Sequence, residues 1–225
     1  MEFADWVPVY EEVLADFGFE RAADEQARDV LAEYAEPFDL TRLDCTGQRV
    51  AIAGGASSLV DETAVAADAD VVFAASTAVD VLDDAGVDVD LMVTDLDKNP
   101  GTARQLTQSG TPVAAHAHGD NIPAIREYVP EFNFAHLLST TQAEPVDAVY
   151  NFGGFTDGDR AAFLADHLGA ADLVFPGWDF EDPSVGDQKA KKLAWAERLL
   201  YWLERRRGDQ FDVLDSRRDG IDAIP

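Results

Sequence analysis

Four short stretches of this sequence gather glycines, hydroxyls, carboxylates and imidazoles in patterns that suit a phosphorylated ligand. Gly54-Gly55-Ala56-Ser57-Ser58 follows the apolar run Val50 to Ala53 and leads into an amphipathic stretch. Glycines allow close backbone approach, and a helix start offers free N–H groups to an anion; the same residues also make an ordinary strand-to-helix turn with a serine cap. Thr94-Asp95-Leu96-Asp97-Lys98 ends a second apolar run. If the extended conformation continues, alternation puts Asp95 and Asp97 on one side. Two such carboxylates call for a cation, and a hard Mg2+ shared with substrate phosphates is the usual answer; solvated loop acids are the alternative. His116-Ala117-His118-Gly119-Asp120-Asn121 offers imidazole, carboxylate and amide together, able to ligate a metal or to orient a phosphate and a hydroxyl. Gly153-Gly154-Phe155-Thr156-Asp157-Gly158-Asp159-Arg160 adds flexible backbone, a hydroxyl, two acids and an arginine, with Thr156 equally suited to cap a helix.

A fifth element is a cluster of lysines. The chain has only four, and Lys189, Lys191 and Lys192 fall within four residues of one another. On a helix Lys189 aligns with Leu193 and Leu200, and Lys192 with Ala196, Leu199 and Leu203, so both rise from the packed side and could meet a polyphosphate. Lys191 aligns with Arg198. A solvated first turn is the competing reading.

The elements that must position these groups are legible in the apolar pattern. Strands are expected at Val50 to Ala53, Val71 to Ala75, Asp90 to Thr94, Pro112 to His116, Asp147 to Phe152 and Asp172 to Phe175, with a weaker signal from Phe134 to Leu138. Helical spacing occupies Ser57 to Ala67, Thr77 to Asp84, Thr102 to Ser109, Ile122 to Tyr128, Asp157 to Leu168 and Gln188 to Arg207. Apolar strands alternating with helices predict a three-layer, doubly wound α/β fold with a mainly parallel, Rossmann-like sheet. Ligands of such sheets bind beyond the carboxyl ends of the strands, where all four motifs fall. Residues 1–45 read as a helical N-terminal extension, with Asp24 capping a helix to Tyr34; 46–207 form the α/β domain and 208–225 a C-terminal tail.

Composition narrows the partners. With 44 acidic against 17 basic residues the formal charge is -27, while 47% hydrophobic residues supply a core, so the acids coat a folded protein. This surface repels nucleic acid and anionic lipid. Thirty Asp and four Lys resemble the composition of proteins from salt-accumulating microbes. A single cysteine, Cys45, and the lack of a signal peptide or long apolar run predict a soluble cytoplasmic protein.

Taken in order, GGASS, VTDLDKNP, HAHGDN, GFTDGDRA and the closing K-x-x-K-L helix resemble the archaeal 6-hydroxymethyl-7,8-dihydropterin pyrophosphokinase family, the MptE-like proteins, over Val50 to Leu203. The layout is also similar to the catalytic domain of thiamin pyrophosphokinases, whose Gly-Asp-x-Asp-Ser motif corresponds in place to Thr94 to Lys98. The chain departs from the pattern at GGASS, where a Gly-rich turn with Pro-Ser is common, and at Lys98, where a small residue is usual. The resemblance implies diphosphate transfer from ATP to the pterin hydroxymethyl group. Asp95 and Asp97 would hold Mg2+, and Asp120 or Asp157 would complete its shell or take the hydroxyl proton. Gly54, Gly55, Ser57, Ser58, Thr94, Lys189 and Lys192 would hold the nucleotide. His118, Asn121, Phe155, Thr156, Asp159 and Asp179 would face the pterin. A thiamin pyrophosphokinase, or a non-catalytic nucleotide-binding or nucleotide-sugar-using protein, are the competing readings. A homo-oligomer is compatible with the sequence.

Overall fold

The computed structural model describes residues 1–224; Pro225, the end of the expected tail, lies outside the described residues. Six strands, β1 (Arg49–Ala53), β2 (Val71–Ala75), β3 (Leu91–Thr94), β4 (Val113–Ala117), β5 (Leu137–Thr141) and β6 (Asp172–Val174), form one sheet in the order β5-β4-β3-β2-β1-β6. Every pairing is parallel. The strands are buried on both faces because helices cover both, which is why they read as apolar runs. Alternate residues serve different cores. Val50 and Ile52 of β1 face one and Ala51 and Ala53 the other.

The crossover helices α3 (Leu59–Ala67), α4 (Ala78–Asp84), α5 (Pro100–Ser109) and α6 (Ile122–Tyr128) join β1 to β5 and contribute to the second of these cores. The chain then changes face. Helix α7 (Asp157–His167) lies across β1, β2 and β3, and α8 (Asp187–Arg207) packs on α7. Buried between sheet and α8, α7 carries an unbroken buried run from Gly158 to Ala165. The N-terminal helices divide between the layers. Residues of α1 (Phe3–Phe17) join the α7–α8 core, and those of α2 (Arg21–Ala32) pack against β4, β5 and α6. Downstream of α8, Phe211 and Leu214 are buried in the α7–α8 core.

Two expected elements differ. The fifth strand is Leu137–Thr141, preceded by a 3-10 turn at Phe134–His136, and the expected strand from Asp147 to Phe152 is absent. That segment touches β5 only around Tyr150, which donates its N–H to Ser139 O and accepts from Thr141 N–H. Asp147, at φ 50, turns the chain and interrupts any ladder. Asp24 is not a helix cap: α2 begins at Arg21, and Asp24 is buried within its first turn.

Candidate functional site

A cleft of about 680 Å³ opens beyond the carboxyl ends of β1 to β4, between the α2 side of the molecule and the loop that follows β6. At its floor the chain leaves β3 at Thr94 and turns sharply. Leu96 takes φ 68, a left-handed conformation unusual for leucine, and its buried side chain anchors the turn. Strand alternation is therefore not what brings Asp95 and Asp97 together. The turn does so: Asp97 N–H donates to Asp95 Oδ1 at 3.2 Å, and both residues line the cleft. Thr94 is fully buried beneath, its hydroxyl oxygen accepting the Leu96 N–H, and does not reach the cleft.

The loop after β4 braces this turn. His118 Nδ1 accepts the Asp120 N–H, so in the neutral ring the proton sits on Nε2, 3.4 Å from Asp95 Oδ2. Asn121 is a strut. Its Oδ1 accepts the His118 N–H, and its Nδ2 donates to the carbonyls of Asp95 and His116. Buried and engaged in this way, it is not offered to a ligand, whereas Asp120 is exposed on the cleft rim. His116 is buried behind, and burial together with the Arg160 charge holds its imidazole well below the ordinary value.

The start of α7 supplies the third carboxylate. Asp157 lines the cleft and accepts from Arg160 Nη1 at 3.0 Å. Burial, then the nearby charge of Asp95, pushes its carboxyl up to about 7. Asp97 is also raised, by partial desolvation and by Asp95. Burial alone would raise Asp95 as well, but the bonds from His118 and Asp97 and the Arg160 charge outweigh it and hold that carboxyl far below its usual range. Asp159 does not reach the cleft. Fully buried, it accepts the Thr156 hydroxyl at 2.6 Å and the N–H groups of Thr156 and Phe155, fixing the helix start. Thr156 and Phe155 themselves line the cleft.

One wall joins the first glycine turn to the loop after β6. Gly54 and Ala56 N–H groups donate to Pro176 O and Gly177 O, so these two are spent on the wall. Gly54 and Gly158 must lack side chains: a Cβ at Gly54 would run into Gly177 O and then Trp178, and one at Gly158 into the Trp178 indole, whose Nε1 donates to Ile52 O at 2.8 Å. Gly54 and Gly55 line the cleft; Ser57 and Ser58 do not. Asp179 lies on the same wall, exposed, with one carboxylate oxygen accepting the Glu181 N–H.

The first turns of α8 close the site. Lys189 and Lys192 line it, together with Lys98. Solvent reaches Lys189, yet desolvation by the cleft walls and the Lys98 charge lower its ammonium. Lys191 is committed elsewhere, 2.8 Å from Asp16 and over the Phe17 ring. Arg160, the arginine of the fourth motif, also lines the cleft, as do Gln142, Trp178 and Asp24, to which sequence reasoning assigned no role there. Among the described residues, no three His, Cys, Asp or Glu side chains are grouped tightly enough to enclose a metal. Asp95 and Asp97 nonetheless present the oxygen donors a hard cation takes. Two carboxylates fit an ion that keeps waters and shares substrate phosphates.

A doubly wound α/β protein with an acid-floored, lysine-rimmed cleft beyond its strand ends is the class that this fold and site define. The family profile described as "6-hydroxymethylpterin diphosphokinase MptE-like" matches residues 27–184, and the chain belongs to that family. It is 35% identical to the 6-hydroxymethyl-7,8-dihydropterin pyrophosphokinase of Methanothermobacter thermautotrophicus, over 91% of this chain and 96% of the relative. The Pyrococcus furiosus protein of the same name is 35% identical over 91% and 95%, and that of Methanocaldococcus jannaschii 29% identical over 91% and 96%. No helix is long and apolar enough to cross a membrane among the described residues.

Proposed function

We propose that this chain transfers diphosphate from ATP to the hydroxymethyl oxygen of 6-hydroxymethyl-7,8-dihydropterin. The carrying observation is the convergence of Asp95, Asp97 and Asp157 with Lys98, Lys189 and Lys192 in one cleft, in a member of this family. The alcohol oxygen attacks the β-phosphorus, the bond from that phosphorus to the bridging oxygen of AMP breaks, and AMP leaves with that oxygen. Asp157, ionised, takes the alcohol proton, and its carboxyl near 7 suits a base working at neutral pH. Lys189 and Lys192 hold the polyphosphate through charge-assisted bonds. Asp95 and Asp97 would hold Mg2+, which when bound reduces charge repulsion between the phosphates and the attacking oxygen. His118 orients Asp95 and keeps it ionised.

The pterin diphosphate would feed tetrahydromethanopterin or folate-type synthesis in a salt-rich cytoplasm, without a nucleic-acid or membrane partner. A thiamin pyrophosphokinase would run the same reaction on another alcohol. Incubation with ATP, Mg2+ and either the reduced pterin or thiamin, in high salt to screen the -27 charge, separates the two. Pterin-dependent AMP is expected. AMP with thiamin alone, or no AMP, would overturn the reading.

A further inference from the structure

The α2 side of the cleft holds a buried carboxylate without a cationic partner. Asp24 is 3% exposed and lines the cleft. It accepts from Tyr10 Oη at 2.7 Å and Gln142 Nε2 at 2.8 Å, both on Oδ2, and from Gly119 N–H at 2.8 Å on Oδ1. All three donors are neutral, and Asp24 forms no salt bridge among the described residues; nearby Arg21 pairs with Glu11 instead. A carboxylate offers about four acceptor positions, so Oδ1 keeps one to spare. Buried charges ordinarily have a charged partner or a full donor set. A donor arriving from the cleft would supply what is missing here.

The surroundings specify that donor. Phe19 and Phe155 line the cleft and share a neighbour in Phe17, whose ring centroid lies 5.3 Å from one and 5.0 Å from the other. Lys192 Nζ lies 5.9 Å from the Phe155 ring, linking this aromatic wall to the phosphate side. Gln142, bonded to Asp24, accepts from Arg160 Nη2 at 3.3 Å, and Arg160 holds Asp157. A flat, donor-edged ring against Phe19 would thus have Asp24 at one end and the reacting acids at the other.

We propose that Asp24 reads the 2-amino and N3–H edge of the pterin ring, with Phe19 as its stacking wall. This rests on the pterin reading above and extends it to a residue of the N-terminal helices. Asn121, engaged in bracing the turn, has no part in it. The Gly54, Gly55 and Trp178 wall is left to the nucleotide.

The test compares wild type, Asp24→Asn and Phe19→Ala by KM for pterin and for ATP separately, with thermal midpoints recorded. Wild-type AMP formation with pterin is the control on which the function itself stands. Loss of a charge-assisted bond should raise the pterin KM about 10- to 100-fold in Asp24→Asn, with the ATP KM within about twofold. Phe19→Ala should raise the pterin KM by a smaller factor. A lumazine analogue, with oxygen in place of the 2-amino group, adds a readout that a purely structural role would not move. Wild type should discriminate against it, and Asp24→Asn should lose most of that discrimination. If Asp24→Asn does not fold, Phe19→Ala decides. A raised ATP KM with the pterin KM unchanged, or an active wild type whose variants leave pterin binding and discrimination untouched, overturns the inference while leaving the proposed reaction standing.

Discussion

Arg160 donates from Nη1 to Asp157 Oδ1 at 3.0 Å, with the two side chains only 8% and 13% exposed. Removing one member of such a pair strands the other charge in a poor solvent, at a cost of about 3–5 kcal/mol. Asp157 can relieve that cost by taking up a proton, since its carboxyl already lies near 7, so Arg160→Gln is expected to lower stability by about 2 kcal/mol in urea denaturation at pH 8. A loss below about 1 kcal/mol would mean that the pair contributes no more than an exposed one.

Asp157 also gives a pH signature. Its carboxyl is raised from 3.8 to about 7, so across that window the folded chain holds a proton that the unfolded chain has released. Its contribution to stability is therefore present at low pH and lost as pH rises through the window. Asp95 runs the other way. Its lowered carboxyl favours the fold above the unfolded value, and that support is lost only as pH falls below about 4. The windows do not overlap. Asp157→Asn should flatten the fall in denaturation midpoint between about pH 4 and 7 in metal-free protein; an unchanged slope would show that Asp157 ionises as an ordinary carboxyl.

The lysines divide by what they touch. Lys189→Ala and Lys192→Ala are expected to raise the KM for ATP about tenfold each, through loss of charge-assisted phosphate bonds. Lys191→Ala should leave it within about twofold, since that ammonium is held at the surface by Asp16. Equal effects at all three positions in steady-state kinetics would contradict the assignment.

Gly158 tests the wall around Trp178. A Cβ there would lie 2.7 Å from the indole, whereas one at Gly186 meets nothing within 4 Å. Gly158→Ala should cost about 1–3 kcal/mol and shift tryptophan fluorescence; Gly186→Ala should do neither. Equal stability of the two variants would show that the indole is not packed against the α7 start.

Much of this architecture was legible in the sequence because buried parallel strands must be apolar. β1, β2, β3, β4 and β6 all declare themselves that way. β5 was hidden by Ser139, Thr140 and Thr141, polar residues that are buried and, at Thr140 and Thr141, bonded to β4 carbonyls. The segment ending at Phe152 is apolar because it packs, without a ladder. In the site, Asp95, Asp97, Asp157, Lys189 and Lys192 could be found from their places at strand and helix ends. Asp24, Gln142 and Trp178 could not, since what brings them to the cleft are partners 95 to 126 residues away. No local signal marks Leu96 as left-handed; a leucine there is held by burial of its side chain, by its N–H bond to the Thr94 hydroxyl and by the Asn121 strut on Asp95 O.

The central claim is that a diphosphate, and not the terminal phosphate, crosses this cleft. It is tested most directly with ATP labelled at the β-phosphorus, reduced hydroxymethylpterin and Mg2+, following the label with wild type and Asp95→Asn. The label is expected in the pterin product, equimolar with AMP, and Asp95→Asn should slow its transfer by about 100-fold or more. Label retained in ADP, or a variant as fast as wild type, would contradict the account.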